Sequence, residues 1–133
     1  MKTLVPLTAL LLLAAAACST PSATRTGMIY DVKIENGIAP AALAVQTGDE
    51  VRWVNHRTAP VNLYFFGREN DYVCERGVTK KNDALRIEPG KATSLCFGRP
   101  GNVGYHVRMD ASVPGGEVIE AGNIQVSNAR EAR

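Results

Sequence analysis

From residue 28 onward, apolar and polar positions alternate in short runs and do not recur every three or four residues. Tyr30-Asp31-Val32-Lys33-Ile34 has a period of two, the mark of a strand with one face buried. Gly37 and Pro40 interrupt it. The apolar run Ala42-Leu43-Ala44-Val45 then ends at the turn Gln46-Thr47-Gly48-Asp49. Glu50–Asn55 and Val61–Phe66 read as the next strands, parted by Arg57-Thr58-Ala59-Pro60. Leu85–Ile87, Ala92–Phe97, Val103–Met109 and Glu117–Val126 follow, punctuated by Glu88-Pro89-Gly90-Lys91, Gly98–Asn102 and Pro114-Gly115-Gly116. Between Gly67 and Asp83 the period is lost among charged residues, and a short helix or turn pinned by Cys74 is expected there. The pattern predicts an all-β chain of seven to eight strands, an antiparallel sandwich or barrel with Trp53 at the centre of its core.

The start of the chain follows another pattern. Met1-Lys2-Thr3 carries one positive charge, and residues 4–17 contain no charged residue. This run of about fourteen residues is shorter than the roughly twenty that a spanning helix needs, so it reads as the core of a signal peptide. It ends in Ala14-Ala15-Ala16-Ala17-Cys18-Ser19. That ending resembles the lipobox of a bacterial lipoprotein, with Ala15 where a large aliphatic residue is usual. The resemblance implies loss of residues 1–17, a diacylglycerol thioether on Cys18, and an acyl (palmitate-type) chain on the new amino terminus. Ser19 in second position implies export to the outer membrane, facing the periplasm. The plainer reading is an ordinary secretory signal that leaves Cys18 as an unpaired thiol. Residues 18–27 are small, polar and Pro-containing, a flexible tether, and residues 127–133 form a frayed tail.

Composition narrows the remainder. The chain has 133 residues, 45% of them hydrophobic and 21% charged, which suits one modest globular domain over residues 28–126. Fifteen Lys and Arg against thirteen Asp and Glu leave a formal charge of +2, too slight to argue for a nucleic-acid partner. If Cys18 carries lipid, only Cys74 and Cys96 remain, and an exported protein oxidises such a pair by default. Their bridge would close a loop of about 23 residues and stabilise the fold by roughly 3 kcal/mol. The alternative is a thiolate pair on a soft metal such as Cu(I), for which the compact C-x-x-C spacing is missing.

The order of several pieces is more specific than their periodicity. Pro40 leads into Thr47-Gly48-Asp49-Glu50-Val51-Arg52-Trp53-Val54-Asn55. Ile87-Glu88-Pro89-Gly90, Phe97, Arg99-Pro100-Gly101, Gly104-Tyr105-His106-Val107 and Gly122-Asn123-Ile124-Gln125-Val126 come after it. Over residues 28–126 the chain resembles the cupredoxins, Greek-key β-sandwiches of the plastocyanin type. The other fold considered is an immunoglobulin-like sandwich, but Cys74 and Cys96 do not flank Trp53 as its inter-sheet pair would. The cupredoxin resemblance implies copper held by two His, a Cys thiolate and a weak axial Met. Val61 stands after Pro60 where the first His belongs, Val107 stands where the Cys belongs, and residues 108–116 contain no His. No type 1 copper centre is expected, and no other cofactor.

The remaining chemistry is sparse. His56 and Met109 are expected at the same end of the domain and form an alternative, displaced copper site; His106 is expected to face away from it. Asp49-Glu50 reads as a hairpin element, and Arg76, Lys80 and Lys81 as a solvated basic cluster. No nucleophile elbow, zinc-protease motif or phosphate loop is present, so an enzyme is not expected. Tyr64-Phe65-Phe66 cannot all face one core, so an aromatic is expected on the outside of the sheet. The expected function is a membrane-anchored, extracytoplasmic binding or structural accessory module. Its expected partners are the membrane, through Cys18, and another envelope protein. The expected surface is the loop-rich end formed by His56–Pro60, Gly98–Asn102 and Met109–Gly116. A copper-trafficking protein using His56 and Met109 is the alternative.

Overall fold

A computed structural model describes residues 24–67 and 72–129. The signal segment, Cys18, most of the tether, residues 68–71 and the last four residues lie outside the described residues. The eleven strands are β1 (Ile29–Ile34), β2 (Ile38–Ala39), β3 (Ala42–Gln46), β4 (Glu50–Asn55), β5 (Val61–Phe65), β6 (Tyr72–Arg76), β7 (Lys80–Lys81), β8 (Ala84–Ile87), β9 (Ala92–Phe97), β10 (Gly101–Asp110) and β11 (Glu117–Ser127). They form a Greek-key sandwich of two sheets, ordered β2-β1-β4-β9-β6 and β3-β11-β10-β5-β8-β7. The chain passes from the first sheet to the second at the cis Ala39–Pro40 peptide.

The expected strands are found within a residue or two of their predicted limits. Eleven strands replace seven or eight because β2 and β7 have two residues each, too short for periodicity to register, and because the charged stretch holds a strand, β6, where a short helix or turn is expected. Pairing is mixed, not purely antiparallel: β1 runs parallel to β4 and β3 parallel to β11. Each parallel pair is joined through the opposite sheet, the long connection that parallel neighbours require.

A bulge explains why β6 was hard to see. Its register against β9 shifts between Tyr72 and Cys74, so that Tyr72 lies opposite Phe97 and Cys74 opposite Cys96. Without the extra residue, Tyr72 and Cys74 would share one face. With it, Tyr72 turns its ring toward Phe97 and Phe65, at centroid distances of 5.7 and 6.2 Å. Cys74 then meets Cys96, and the two form the disulfide with Cα atoms 4.9 Å apart. That bond excludes the thiolate pair.

The core is built from alternate positions of both sheets. Val32, Ile34, Val51, Trp53 and Leu95 face Val61, Leu63, Val103, Tyr105, Val107 and Ile124, all at 1% exposure or less. Trp53 sits at the centre as expected, edge-on to Phe65 and Tyr105 with both ring centroids 5.5 Å away. Each such aromatic contact adds about 0.5–1.5 kcal/mol beyond area burial. Tyr105 packs directly over Gly122 of the neighbouring strand, its cross-strand partner.

That packing defines a stability test. A Cβ at position 122 would clash with the phenol end of Tyr105, so Gly122→Ala must displace the ring that braces Trp53. Chemical denaturation should show a loss of about 1–3 kcal/mol, the usual cost of overpacking. An unchanged midpoint would contradict this arrangement of the core.

Candidate functional site

The sandwich has two ends. At one end, the turn Gln46–Asp49 closes with Asp49 N donating to Gln46 O, and Gly48 takes the positive φ of 87° that the third position of a type II turn requires. The Asp49 carboxylate caps this turn by accepting from Gln46 N at 2.8 Å and also accepts from the Thr26 hydroxyl. Thr26 N donates to Gly48 O, and Arg25 pairs with the buried Glu50 at 3.3 Å. Ser127 and Ala129 bond to Thr47 at the same end. We call it the anchor pole, because the chain enters the domain there. The Asp49-Glu50 pair thus fastens the entering segment as well as the hairpin, and both carboxylates are 3% exposed.

The opposite, distal pole is organised by Asn55. Its buried amide donates to Ala59 O and Ile87 O, both at 2.9 Å, and its carbonyl accepts from Arg57 N at 2.9 Å. Its main chain is equally engaged: Asn55 N donates to Lys91 O and Asn55 O accepts from Gly90 N. One residue therefore ties the end of β4 to the β4–β5 loop, the end of β8 and the turn Glu88–Lys91. Arg57 then spans the sandwich, donating to Glu35 O and Asp110 O at 2.6 Å each.

The positions where the resemblance implies copper ligands lie on the strands beneath this clamp. Val61 and Val107 are both 0% exposed, within the continuous hydrocarbon core. Their side chains have no lone pair to donate, so these positions do not fit a type 1 copper centre. Met109 is also interior, at 2% exposure, whereas His56 is exposed on the loop. His56 lies close enough to Asp31 to help lower that carboxyl's pKa, although the hydrogen-bonded Arg52 is the main cause. The two expected alternative ligands therefore share a pole, but one is sealed in the core and the other is in solvent. Among the described residues no group of three or more His, Cys, Asp or Glu could hold a metal ion.

Two loops of the expected surface belong together and one does not. Arg57 joins the His56–Pro60 loop to Asp110, at the start of the β10–β11 turn. Gly98–Asn102 lies at the anchor pole: Gly48 N donates to Phe97 O, and Gly101 pairs with Val126. β10 runs the full length between the ends, so the loop that precedes it cannot meet the loop that follows it.

The aromatic triplet splits as alternation demands. Phe65 joins the core, while Tyr64 lies on the outer face of the six-stranded sheet opposite His106. The Tyr64 and His106 rings stack at 4.9 Å and 10°. Phe66, 60% exposed, also packs on His106, tilted by 37° at 5.1 Å. Arg108 covers the Tyr64 ring at 5.0 Å, and its Nε donates to His106 Nε2 at 3.3 Å. As expected, His106 faces away from Tyr105 and Val107; its use as the centre of an aromatic stack went unread. The signal was available in the spacing, since Tyr64 and His106 occupy outward positions on neighbouring strands.

Partial burial lowers the His106 pKa, Arg108 lowers it further, and Glu117 opposes the shift. The folded protein therefore favours neutral imidazole, and its stability contribution is present above the ordinary imidazole range. That contribution is lost as pH falls from the ordinary value through the lowered one. An NMR titration should place the His106 midpoint below that of a free imidazole, and His106→Phe should remove this part of the pH dependence of unfolding. A midpoint at or above the ordinary value would contradict the geometry of the stack.

No family model and no curated protein matches the chain. Solved structures similar to it include a methionine-to-alanine variant of amicyanin in its Cu(I) form, 27% identical, covering 76% of this chain and 83% of that one with a TM-score of 0.48. A second methionine-to-alanine variant in the Cu(I) form is 26% identical over 85% and 90% of the two chains, with a TM-score of 0.47. A reduced tryptophan-to-tyrosine variant of amicyanin is 23% identical over 80% and 92%, with a TM-score of 0.49. The described chain, a Greek-key sandwich of two mixed sheets, has a cupredoxin-like fold.

Proposed function

We propose that this chain is a membrane-anchored accessory module of a bacterial cell envelope, acting through its surface and not through a type 1 copper centre. The observation that carries the reading is the complete burial of Val61 and Val107 at the two positions where copper chemistry would need an imidazole and a thiolate. A hydrocarbon-filled pole leaves binding to the exterior, and the outward-facing group of half-buried Tyr64 and His106 with exposed Phe66 is the surface best suited to another envelope protein.

The attachment of the entering segment supports the same picture. Thr24–Gly27 is fastened to the anchor pole, and only six residue steps separate Thr24 from Cys18. Even fully extended, those steps reach about 20 Å. A lipid on Cys18 would hold the anchor pole close to the bilayer, with the distal pole turned outward. Several acyl chains, each worth about 0.8 kcal/mol per buried methylene, would make that attachment lasting.

Copper titration of the full chain in detergent tests the reading. Neither Cu(II) nor Cu(I) should fill a saturable site of one metal per chain, and no intense blue colour should develop. Tight uptake of one copper per chain would overturn the proposal. Loss of that uptake in His56→Ala and Met109→Ala would transfer the function to copper handling.

A further inference from the structure

The two sheets end in four edge strands, and three of these carry devices that discourage pairing with another chain. β2 has two residues and stops at Pro40, β7 is the pair Lys80-Lys81, and β6 is bulged and carries Glu75 and Arg76. β3 has five residues and none of these devices. It lies within residues 36–48, the longest uncharged run among the described residues.

Alternation divides the main chain of β3 between its two sides. Ala41 O accepts from Asn123 N and Thr47 N donates to Ser127 O, so Leu43 and Val45 between them also bond to β11. Pro40, Ala42, Ala44 and Gln46 therefore turn their main chain to the open edge. Pro40 has no N–H, and the Gln46 N–H and C=O are both engaged by Asp49. That leaves the N–H and C=O groups of Ala42 and Ala44, which no described residue engages.

This edge is complementary to itself in one register. A two-fold axis through Leu43 sets Ala42 opposite the partner's Ala44 and Ala44 opposite the partner's Ala42, antiparallel. Opposed residues of this kind exchange both N–H···O bonds, so every free group on both edges is used. An axis through Ala42 would set Ala44 against Pro40, which lacks the N–H, and an axis through Ala44 would set Ala42 against the closed Gln46. Leu43, half-buried at the margin of the core, then meets the partner's Leu43 as a non-hydrogen-bonded pair, with Cα atoms about 4.5 Å apart. The uncharged run brings no like charges together across the axis.

We propose that β3 is the interface of a symmetric homodimer, in which the two six-stranded sheets join edge to edge. The two Tyr64–His106 stacks then share one face of the joined sheet, roughly 35 Å apart. The axis turns the two anchor poles to opposite ends, so a lipid-tethered pair would lie with its strands along the bilayer. The pairing itself needs neither lipid nor another protein. It therefore goes beyond the accessory reading, and either can fail without the other.

The experiment is sedimentation velocity of the full chain in detergent, with amide exchange of Ala42 and Ala44 followed by NMR over the same concentrations. So short an interface should give a weak dimer, with a dissociation constant on the order of 100 µM, and both amides should gain protection as it forms. Ala42→Lys combined with Ala44→Lys puts like charges opposite each other and should weaken the dimer about tenfold. Ala42→Glu combined with Ala44→Lys puts opposite charges at the same exposed positions and should retain or strengthen it. Because both variants alter the same two residues, a general folding defect cannot produce this contrast. Ala44→Pro, which removes an edge-facing N–H and no bond to β11, should abolish pairing. A chain that stays monomeric at about 1 mM would overturn the proposal. So would a dimer indifferent to the charges placed on β3, or protection of both amides in the monomer, which would mean that another segment of the chain covers this edge.

Discussion

The side chain and main chain of Asn55 form the constraint on which the distal half of the molecule depends. Five hydrogen bonds converge on this one residue, which is wholly buried, and their partners lie in the β4–β5 loop, at the end of β8 and in the turn before β9. A buried amide with both protons and its oxygen engaged stabilises only modestly in net terms. Removing it would strand two carbonyls and an N–H, each at a cost of about 1–3 kcal/mol. Such a residue therefore fixes geometry more than it adds stability. Arg57 completes the arrangement by joining the Glu35 carbonyl, just beyond β1, to the Asp110 carbonyl at the end of β10.

What the clamp holds in place is hydrocarbon. In a cupredoxin-like fold, the strands beneath this end are where the resemblance implies metal ligands, and here they present Val61 and Val107 to a close-packed interior. The clamp and the valines make the pole a closed structural cap. Away from this pole, the described residues form an aromatic stack on one sheet, a fastened entry segment at the anchor pole, and a cavity at the sheet edges beside β6. The disulfide contributes to the last of these by securing β6, the free edge strand that forms one of the cavity's walls.

Much of the architecture was legible because half-buried strands write their period into the sequence. Glu50–Asn55 and Ala92–Phe97 emerge with the limits that alternation predicts, and the turns at Gly48 and Gly90 fall where glycine's positive φ is needed. The Cys74–Cys96 pairing followed from counting cysteines. Features that break alternation, or depend on a distant segment, were not legible. The β6 bulge inverts the facing of Tyr72 and Cys74 within three residues, which a period-two reading cannot represent. Asp49-Glu50 reads in the sequence as a hairpin element, and nothing local shows that Glu50 is buried and pairs with Arg25 of the entering segment. Gly98–Asn102 was grouped with the wrong loops because loop composition does not reveal which end of a strand it joins. The valines at 61 and 107 were read at their positions, but their burial could be established only by the packing.

Native-state hydrogen exchange at the distal pole measures the clamp directly. The main-chain amides of Asn55, Arg57 and Gly90 all donate within the Asn55 network, and Arg57 lies in a loop that would otherwise exchange by local fraying. If the pole is a closed cap, these three amides exchange only through global unfolding, with the same protection as the β4 and β9 core amides. Rapid exchange of Arg57 and Gly90, with the strand amides still protected, would mean that the end of the sandwich opens in the native state and that the sealed pole described here does not exist.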